Sequence, residues 1–251
     1  MDVVNETDIA ASSYREHSAP PELRHVLACT WHQRIAPGRG PYQQRVLPDG
    51  HADLVVDDRG RALLVGPATR VVLPELPAGG AVHGLRLAFH AVGPLLRVPA
   101  AELTDRVVPL SALVSEPLAA AVCDALGDGD PAATALTQRW LAGAAPDRRV
   151  GEAVRALWRR PGLEIGSVAD RVGLSSRQLR RALLAEVGLG PKMFQRVGRL
   201  QRFLALAGAD PGRGLAELAA EAGYADQPHL SREAKTLAGL TATELLAYQL
   251  G

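Results

Sequence analysis

The chain has 251 residues, 47% of them hydrophobic, with 28 basic against 27 acidic side chains. It is too long for a single small module and apolar enough for real cores. Its two cysteines, Cys29 and Cys123, stand far apart and in no CxxC spacing, which excludes a disulfide scaffold or a zinc-finger framework and suits a reducing cytosol.

The net charge of +1 hides a split. Residues 1–149 hold 14 Arg and no Lys against 17 acids, net −3, and residues 150–251 hold 12 Arg and 2 Lys against 10 acids, net +4. A basic second half points to a polyanionic partner. No apolar run approaches about 18 residues, so no membrane span is expected. The opening "MDVVNETDIAASS" has acids in place of a basic start and no apolar stretch. Residues 1–14 therefore read as a flexible tail rather than a signal peptide.

Residues 15–110 read as a β-rich domain. Short Val- and Leu-rich segments ("RHVLACTWHQR", "ADLVV", "RALLVG", "RVVLPEL", "AVHGLRLAFH") are punctuated by "PGRGP", "PDG", "DDRG" and "PAGG". Many short strands with turn signals predict a small antiparallel barrel or sandwich. "DDRG" predicts a hairpin turn formed by Asp57 and Asp58. From 111 to 148 proline starts the segments, as in "EPLAAAVCDALG" and "DPAATALTQRWLAG". That is a helix-start signal, with Asp130 as a cap, and predicts a helical connector. Residues 149–251 read as an all-α domain, so the fold class is α+β.

The helical half contains a repeat. "IGSVADRVGLSSRQLRRALLAEVGL" aligns with "LAELAAEAGYADQPHLSREAKTLAGL": Ala169 and Gly173 match Ala219 and Gly223 at an offset of 50, and Leu179, Arg181 and Gly188 match Leu230, Arg232 and Gly239 at 51. Two copies at about 163–189 and 214–240 predict tandem helix-turn-helix units, joined by a long helix through "PKMFQRVGRLQRFLALAG". In the first unit Ile165, Val168 and Val172 make a buried stripe, and Ala169 is the small residue at the helix crossing. Gly173 takes the turn and Ser175 or Ser176 caps the second helix. Leu179 and Leu183 face inward while Arg177, Arg180 and Arg181 face out. Charge concentrates here: residues 171–202 carry eight basic side chains against Glu186, net +7. Arginine reads guanine and neutralises phosphates, so this cluster points to DNA.

Residues 163–246 resemble the DNA-binding domain of the AraC/XylS family of bacterial transcription regulators. The stretch "LAELAAEAGYADQPHLSRE…LAGLT" carries the resemblance, with Gly223, Tyr224, Asp226, Gln227, His229, Leu230, Arg232 and Gly239. It implies seven helices and two recognition helices in successive major grooves. The family's base-reading positions fall on Arg177, Arg180 and Arg181, and on Gln227, Pro228, Ser231 and Arg232. Ser176, Lys192, Arg196, Asp226 and His229 are the candidate phosphate contacts. The chain departs from the family at Ala234, where an aromatic is usual, and at Ala242, where proline is usual. The second unit is also poor in charge, with 3 basic residues against 5 acids over 213–245, net −2. It reads as the lighter of the two DNA readers.

The front half resembles the small β-rich domain of one AraC-type subgroup, through "VLPDGHADLVV", "LLVGPAT" and "VPAAELTDRVVPLSAL", although "RLAFHAVG" replaces the usual "RxRPG". That resemblance implies a cupin-like effector or dimerisation domain. The partners implied are double-stranded promoter DNA, RNA polymerase, a small-molecule effector and a second copy of the chain, in the cytoplasm. No cofactor motif is present, and the seven histidines form no metal signature such as HExxH. For an effector, His51, Asp53 and Trp31 are the candidates, with His51 expected at the barrel mouth. The rival expectation is a β-domain metal or small-molecule sensor, or an enzyme, with the helical half used for docking. Neither GxSxG nor a Gly-rich phosphate loop supports an enzyme.

Overall fold

A computed structural model describes residues 12–37, 41–57, 59–127 and 129–250. Most of the expected tail, the middle of "PGRGP" and Asp58 lie outside the described residues. The strands are β1 (Ser12–Ser18), β2 (Leu27–Ile35), β3 (Tyr42–Gln43), β4 (Asp53–Val56), β5 (Ala62–Val65), β6 (Glu75–Leu76), β7 (Ala81–Leu87) and β8 (Val107–Pro109). Six of them form one antiparallel sheet in the order β1-β2-β7-β4-β5-β8, and β3 pairs with β6. The barrel expected from the sequence is therefore an open sheet. Its two edge strands, β1 and β8, do not meet. β8 has three residues and ends on Pro109, which has no N–H to extend a ladder. Of "RVVLPEL", only Glu75 and Leu76 become strand, while Val72 makes a single bridge to Val46. Pro74 interrupts the segment for the same reason.

The β4–β5 hairpin closes as its turn residues dictate. Asp57 accepts from the N–H groups of Arg59 and Arg61, and Gly60 sits at φ 68°, where glycine carries no steric penalty. Alternate residues of the sheet, Leu54, Leu64, Leu85 and Leu87, face a core shared with Val122 and Leu141. Those two come from α2 (Glu116–Gly127) and α3 (Pro131–Ala142), and Asp130 caps α3 by accepting from Ala133 N–H at 2.7 Å. A short helix, α1 (Val92–Leu96), follows β7. The opposite face of the sheet carries a polar network. Arg86 lies 2.9 Å from Glu16 and 3.3 Å from Asp53, and Trp31 Nε1 donates to Asp53 at 2.7 Å.

Seven helices follow: α4 (Arg148–Arg159), α5 (Ile165–Arg171), α6 (Ser176–Glu186), α7 (Pro191–Ala209), α8 (Leu215–Ala222), α9 (Gln227–Ala238) and α10 (Ala242–Leu250). They enclose two cores. One joins α4, α5 and α6 to the start of α7, and the other joins the rest of α7 to α8, α9 and α10. The repeat extends one helix further back than its most similar text. Val150, Ala153, Val154 and Leu157 of α4 are buried, and so are Leu200, Phe203, Leu204 and Ala207 of α7, 50 positions on. Each unit is thus three helices, α4–α6 and α7–α9.

The β-rich half touches both units. Thr104 donates to the Gly188 carbonyl at 2.9 Å, just beyond α6. Arg45 donates to the Ala238 carbonyl at 2.8 Å, and the Val71 N–H donates to Leu237 at 2.6 Å, at the end of α9. Phe89 joins the two halves, 4.6 Å from Trp158 and 5.1 Å from Phe194 between ring centroids. Among the described residues, no helix is long and apolar enough to cross a membrane.

Candidate nucleic-acid interface

The last helix of each unit, α6 and α9, starts on a built cap. Ser175 accepts from Gln178 N–H at 3.2 Å, and the Gln178 side chain accepts from Ser175 N–H at 2.8 Å. This reciprocal pair satisfies two donors that the helix end would otherwise leave bare. The turn before it runs through Gly173 at φ 68°, and Leu174 N–H reaches back to the Ala169 carbonyl at 2.9 Å. In the second unit Gly223 takes the same place at φ 94°, and Tyr224 N–H reaches Ala219 at 2.9 Å. There Asp226 is the cap and accepts from His229 N–H at 2.6 Å. Pro228 follows in the first turn, where the missing N–H has no helical partner in any case.

Helical periodicity decides which side chains face out. Leu179 and Leu183 of α6 are fully buried. At about 100° per residue the centre of the opposite face falls on Arg177 and Arg181, one turn apart, with Arg180 on its flank. All three are exposed, and among the described residues none pairs with a carboxylate. Ser176 and Lys192 are exposed beside them. In α9 the stripe of Leu230, Ala234 and Leu237 is buried. Its opposite face is centred on Pro228 and Arg232, the repeat partners of Arg177 and Arg181. Gln227 and Arg232 are exposed and Ser231 is half-buried.

Three of the eight basic residues in the 171–202 cluster are engaged inside the fold. Glu233 of α9 is buried and accepts from Arg196 Nε at 3.2 Å and from Arg199 Nη2 at 3.1 Å. Arg202 donates to the carbonyls of Glu221 and Arg159. Two further phosphate candidates are occupied as well. Asp226 holds the cap, and the His229 ring stands edge-on to Tyr224, 5.3 Å between centroids, with Nδ1 accepting from Ala225 N–H. Glu233 was missed in the sequence reading, although one signal marks it. It stands on the apolar stripe of α9, between Leu230 and Leu237, where a lone acid requires a buried cation.

Two of the three effector candidates, Trp31 and Asp53, are bonded to each other. Asp53 is bonded to Trp31 and Arg86 within the polar face of the sheet. The Trp31 ring lies flat across Gly84, where a Cβ would stand 2.2 Å from Cε2. With the sheet open, His51 has no barrel mouth to line. Its Nδ1 sits 2.8 Å from the Leu87 carbonyl and its ring stacks on Phe89 at 3.9 Å, beside the junction of the two halves. Cys29 and His32 fall on opposite faces of β2, separated by the alternation of a strand. Among the described residues, no three of His, Cys, Asp and Glu are placed to hold a metal.

Comparison with known proteins follows this division of the chain. A family model described as a helix-turn-helix domain matches residues 168–248. A second, described as a domain of unknown function (DUF6597), matches residues 15–109. No curated protein matches the chain. Among solved structures, ToxT from Vibrio cholerae O395 is similar at 9% identity over 96% of this chain and 99% of that one, with a TM-score of 0.44. Apo ToxT from Vibrio cholerae strain SCE256 is similar at 12% identity over 96% of this chain and 98% of that one, with a TM-score of 0.42. A DNA-binding transcriptional dual regulator from Escherichia coli K-12 is similar at 17% identity over 43% of this chain and 96% of that one, with a TM-score of 0.37.

Proposed function

We propose that this chain, whose residues 168–248 match a helix-turn-helix family model, is a DNA-binding transcription regulator of the AraC/XylS type that grips promoter DNA unequally. On this reading α6 is the main base reader in one major groove, and α9 enters the next groove as a lighter one. The observation that carries it is the pair of outward, unpaired arginines Arg177 and Arg181, against Pro228 and Arg232 at the matching positions of α9. Arginine forks onto guanine, while proline offers no donor. Arg180, Lys192 and Arg171 flank the first reader and supply charge for phosphates. The joining helix α7 has 19 residues, about 28 Å, which suits two readers roughly one turn of duplex apart.

The β-rich half acts on this pair as the effector domain. Its bonds to Gly188 and to Leu237 and Ala238 hold the far end of each recognition helix, so a change in that domain reaches both readers. The partners on this reading are promoter duplex, RNA polymerase, a small-molecule effector and a second copy of the chain, all in the cytoplasm.

Binding to the duplex upstream of the chain's own gene, and to a random duplex of equal length, tests the assignment. Arg181→Ala should weaken specific binding by about 1–3 kcal/mol and leave the random duplex nearly unaffected. Arg232→Ala should cost less. Equal losses on the two duplexes, or a larger loss from Arg232→Ala, would overturn the unequal grip.

A further inference from the structure

A second candidate site lies between the sheet and α3. A cleft of about 310 Å³ opens there, the size of a small-ligand pocket. Its floor is apolar, with Leu23, Leu27, Leu85 and Leu141. One wall is a row of imidazoles on three adjacent strands: His17 to His32 at 5.5 Å and His32 to His83 at 6.3 Å between centroids. The other wall is the inner side of α3, which presents Thr134, Thr137 and Gln138 where a helix packed on a sheet would carry leucine. Thr137 is 4% exposed, yet its Oγ1 has no hydrogen-bond partner among the described residues. A buried hydroxyl left unmatched costs stability, so Thr137 would gain from a polar group entering the cleft.

Charge completes the picture. The alternation of the strands puts Arg15, His17, His32, Arg34 and His83 on this face, while Glu16 and Asp53 stand on the opposite face with Arg86. Among the described residues, no acid and no lysine lines the cleft. Burial, then the neighbouring imidazoles of His17 and His83 and the charges of Arg15 and Arg34, hold the His32 imidazole below its usual range, and an anion in the cleft would offset that repulsion.

Resting on the reading of the β-rich half as an effector domain, we propose that this cleft is the effector site and takes an amphipathic organic monoanion. The apolar body lies on the leucine floor. The acid group is met by the imidazole row, and Thr137 offers its hydroxyl to the ligand.

The test uses the full chain with 8-anilinonaphthalene-1-sulfonate as a fluorescent occupant. Two acids compete for it, 4-phenylbutyrate and decanoate, each set against its neutral twin, 4-phenylbutan-1-ol or decan-1-ol. At least one acid should displace the dye about tenfold better than its alcohol, and the acid that does so identifies the body as aromatic or aliphatic. Thr137→Val, which keeps the shape and removes the hydroxyl, and His32→Gln, on a partly open strand, should each weaken that acid by about tenfold. Alcohols equal to acids would overturn the anionic class. Unchanged affinity in both variants would overturn the site. Operator binding measured on the same preparations separates the two readings. No acid binding by a protein that binds its operator sinks the cleft alone, and acid binding without operator binding sinks the regulator and leaves the cleft standing.

Discussion

Laid in register, α4–α6 and α7–α9 share their hydrophobic frame and differ in how they use arginine. Leu179 corresponds to Leu230 and Leu183 to Ala234, all fully buried. Ala182, however, corresponds to Glu233. Arg199 of α7 forks onto that carboxylate, whereas Arg149, 50 positions earlier in α4, turns to its neighbour Asp147 at 2.7 Å. One acid on the inner face of the second recognition helix therefore ties it to the long helix and draws two cations out of the surface field. The first unit lacks that tie, and among the described residues Arg177, Arg180 and Arg181 of α6 pair with no carboxylate. A local count of basic residues says little about binding to DNA until the partner of each is known.

Removing the tie should have the largest effect. Glu233→Ala leaves Arg199 half-buried beside Tyr224 with no counter-charge. Breaking a buried pair in this way costs about 3–5 kcal/mol, and the partial exposure of Arg196 places this case near the lower end. Denaturant unfolding of the full chain measures it. The counterpart change, Ala182→Gly in α6, removes no pair and should cost only about 1 kcal/mol. Similar losses at the two positions would mean that Glu233 is no tie at all.

The same contrast shows what was legible in the sequence. The repeat, both turns and the α3 cap rest on local rules: glycine where φ is positive, small acceptors at helix starts, apolar residues at helical spacing. Those rules act within a few residues, so "DDRG", Asp130, Gly173 and Gly223 could be read in place. The fate of Arg196 and Arg199 depends on Glu233, which lies 34 to 37 residues away, and nothing near either arginine announces it. The edges of the sheet were hidden for a related reason. β8 is three residues that become a strand only beside β5, and β1 takes in Ser12–Tyr14 from the expected tail because β2 pairs with it. Whether six strands close or stay open depends on their lengths together, not on any one segment. His51 was placed at a barrel mouth on the strength of that closure, and the open sheet removed the premise.

The caps sharpen the comparison at smaller cost. Ser175→Ala removes a neutral capping box and Asp226→Ala a charged cap, and each should cost about 1 kcal/mol of stability. Their effects on DNA should differ in sign. Asp226 is an exposed negative charge at the start of α9, so its loss removes a repulsion from phosphates, and binding to random duplex should hold or improve despite the weaker fold. Ser175→Ala carries no such gain and should weaken random-duplex binding slightly. Salt titrations of both variants check this, and a clear loss of random-duplex affinity in Asp226→Ala would mean that the charge is not near the backbone.

The smallest effect is expected where the two recognition helices end. Glu186 closes α6, and its repeat partner in α9 is the buried Leu237. The Glu186 carboxylate accepts from Asp147 N–H at 3.3 Å. Burial, reinforced by the Asp147 charge, pushes its pKa up from 4.5 to about 7, against the pull of that hydrogen bond and of Arg149. The folded state thus favours the protonated form more than the unfolded chain does. That contribution is complete below the unfolded value and fades as the pH rises through the folded one. The native protein should lose stability from about pH 4.5 to pH 7 relative to Glu186→Gln, which carries no charge to ionise. The two should melt together at about pH 4, with the variant ahead by about 2 °C at about pH 8. A constant difference across that window would show that Glu186 titrates alike in the folded and unfolded chain, and that the end of α6 is as indifferent to pH as the leucine end of α9.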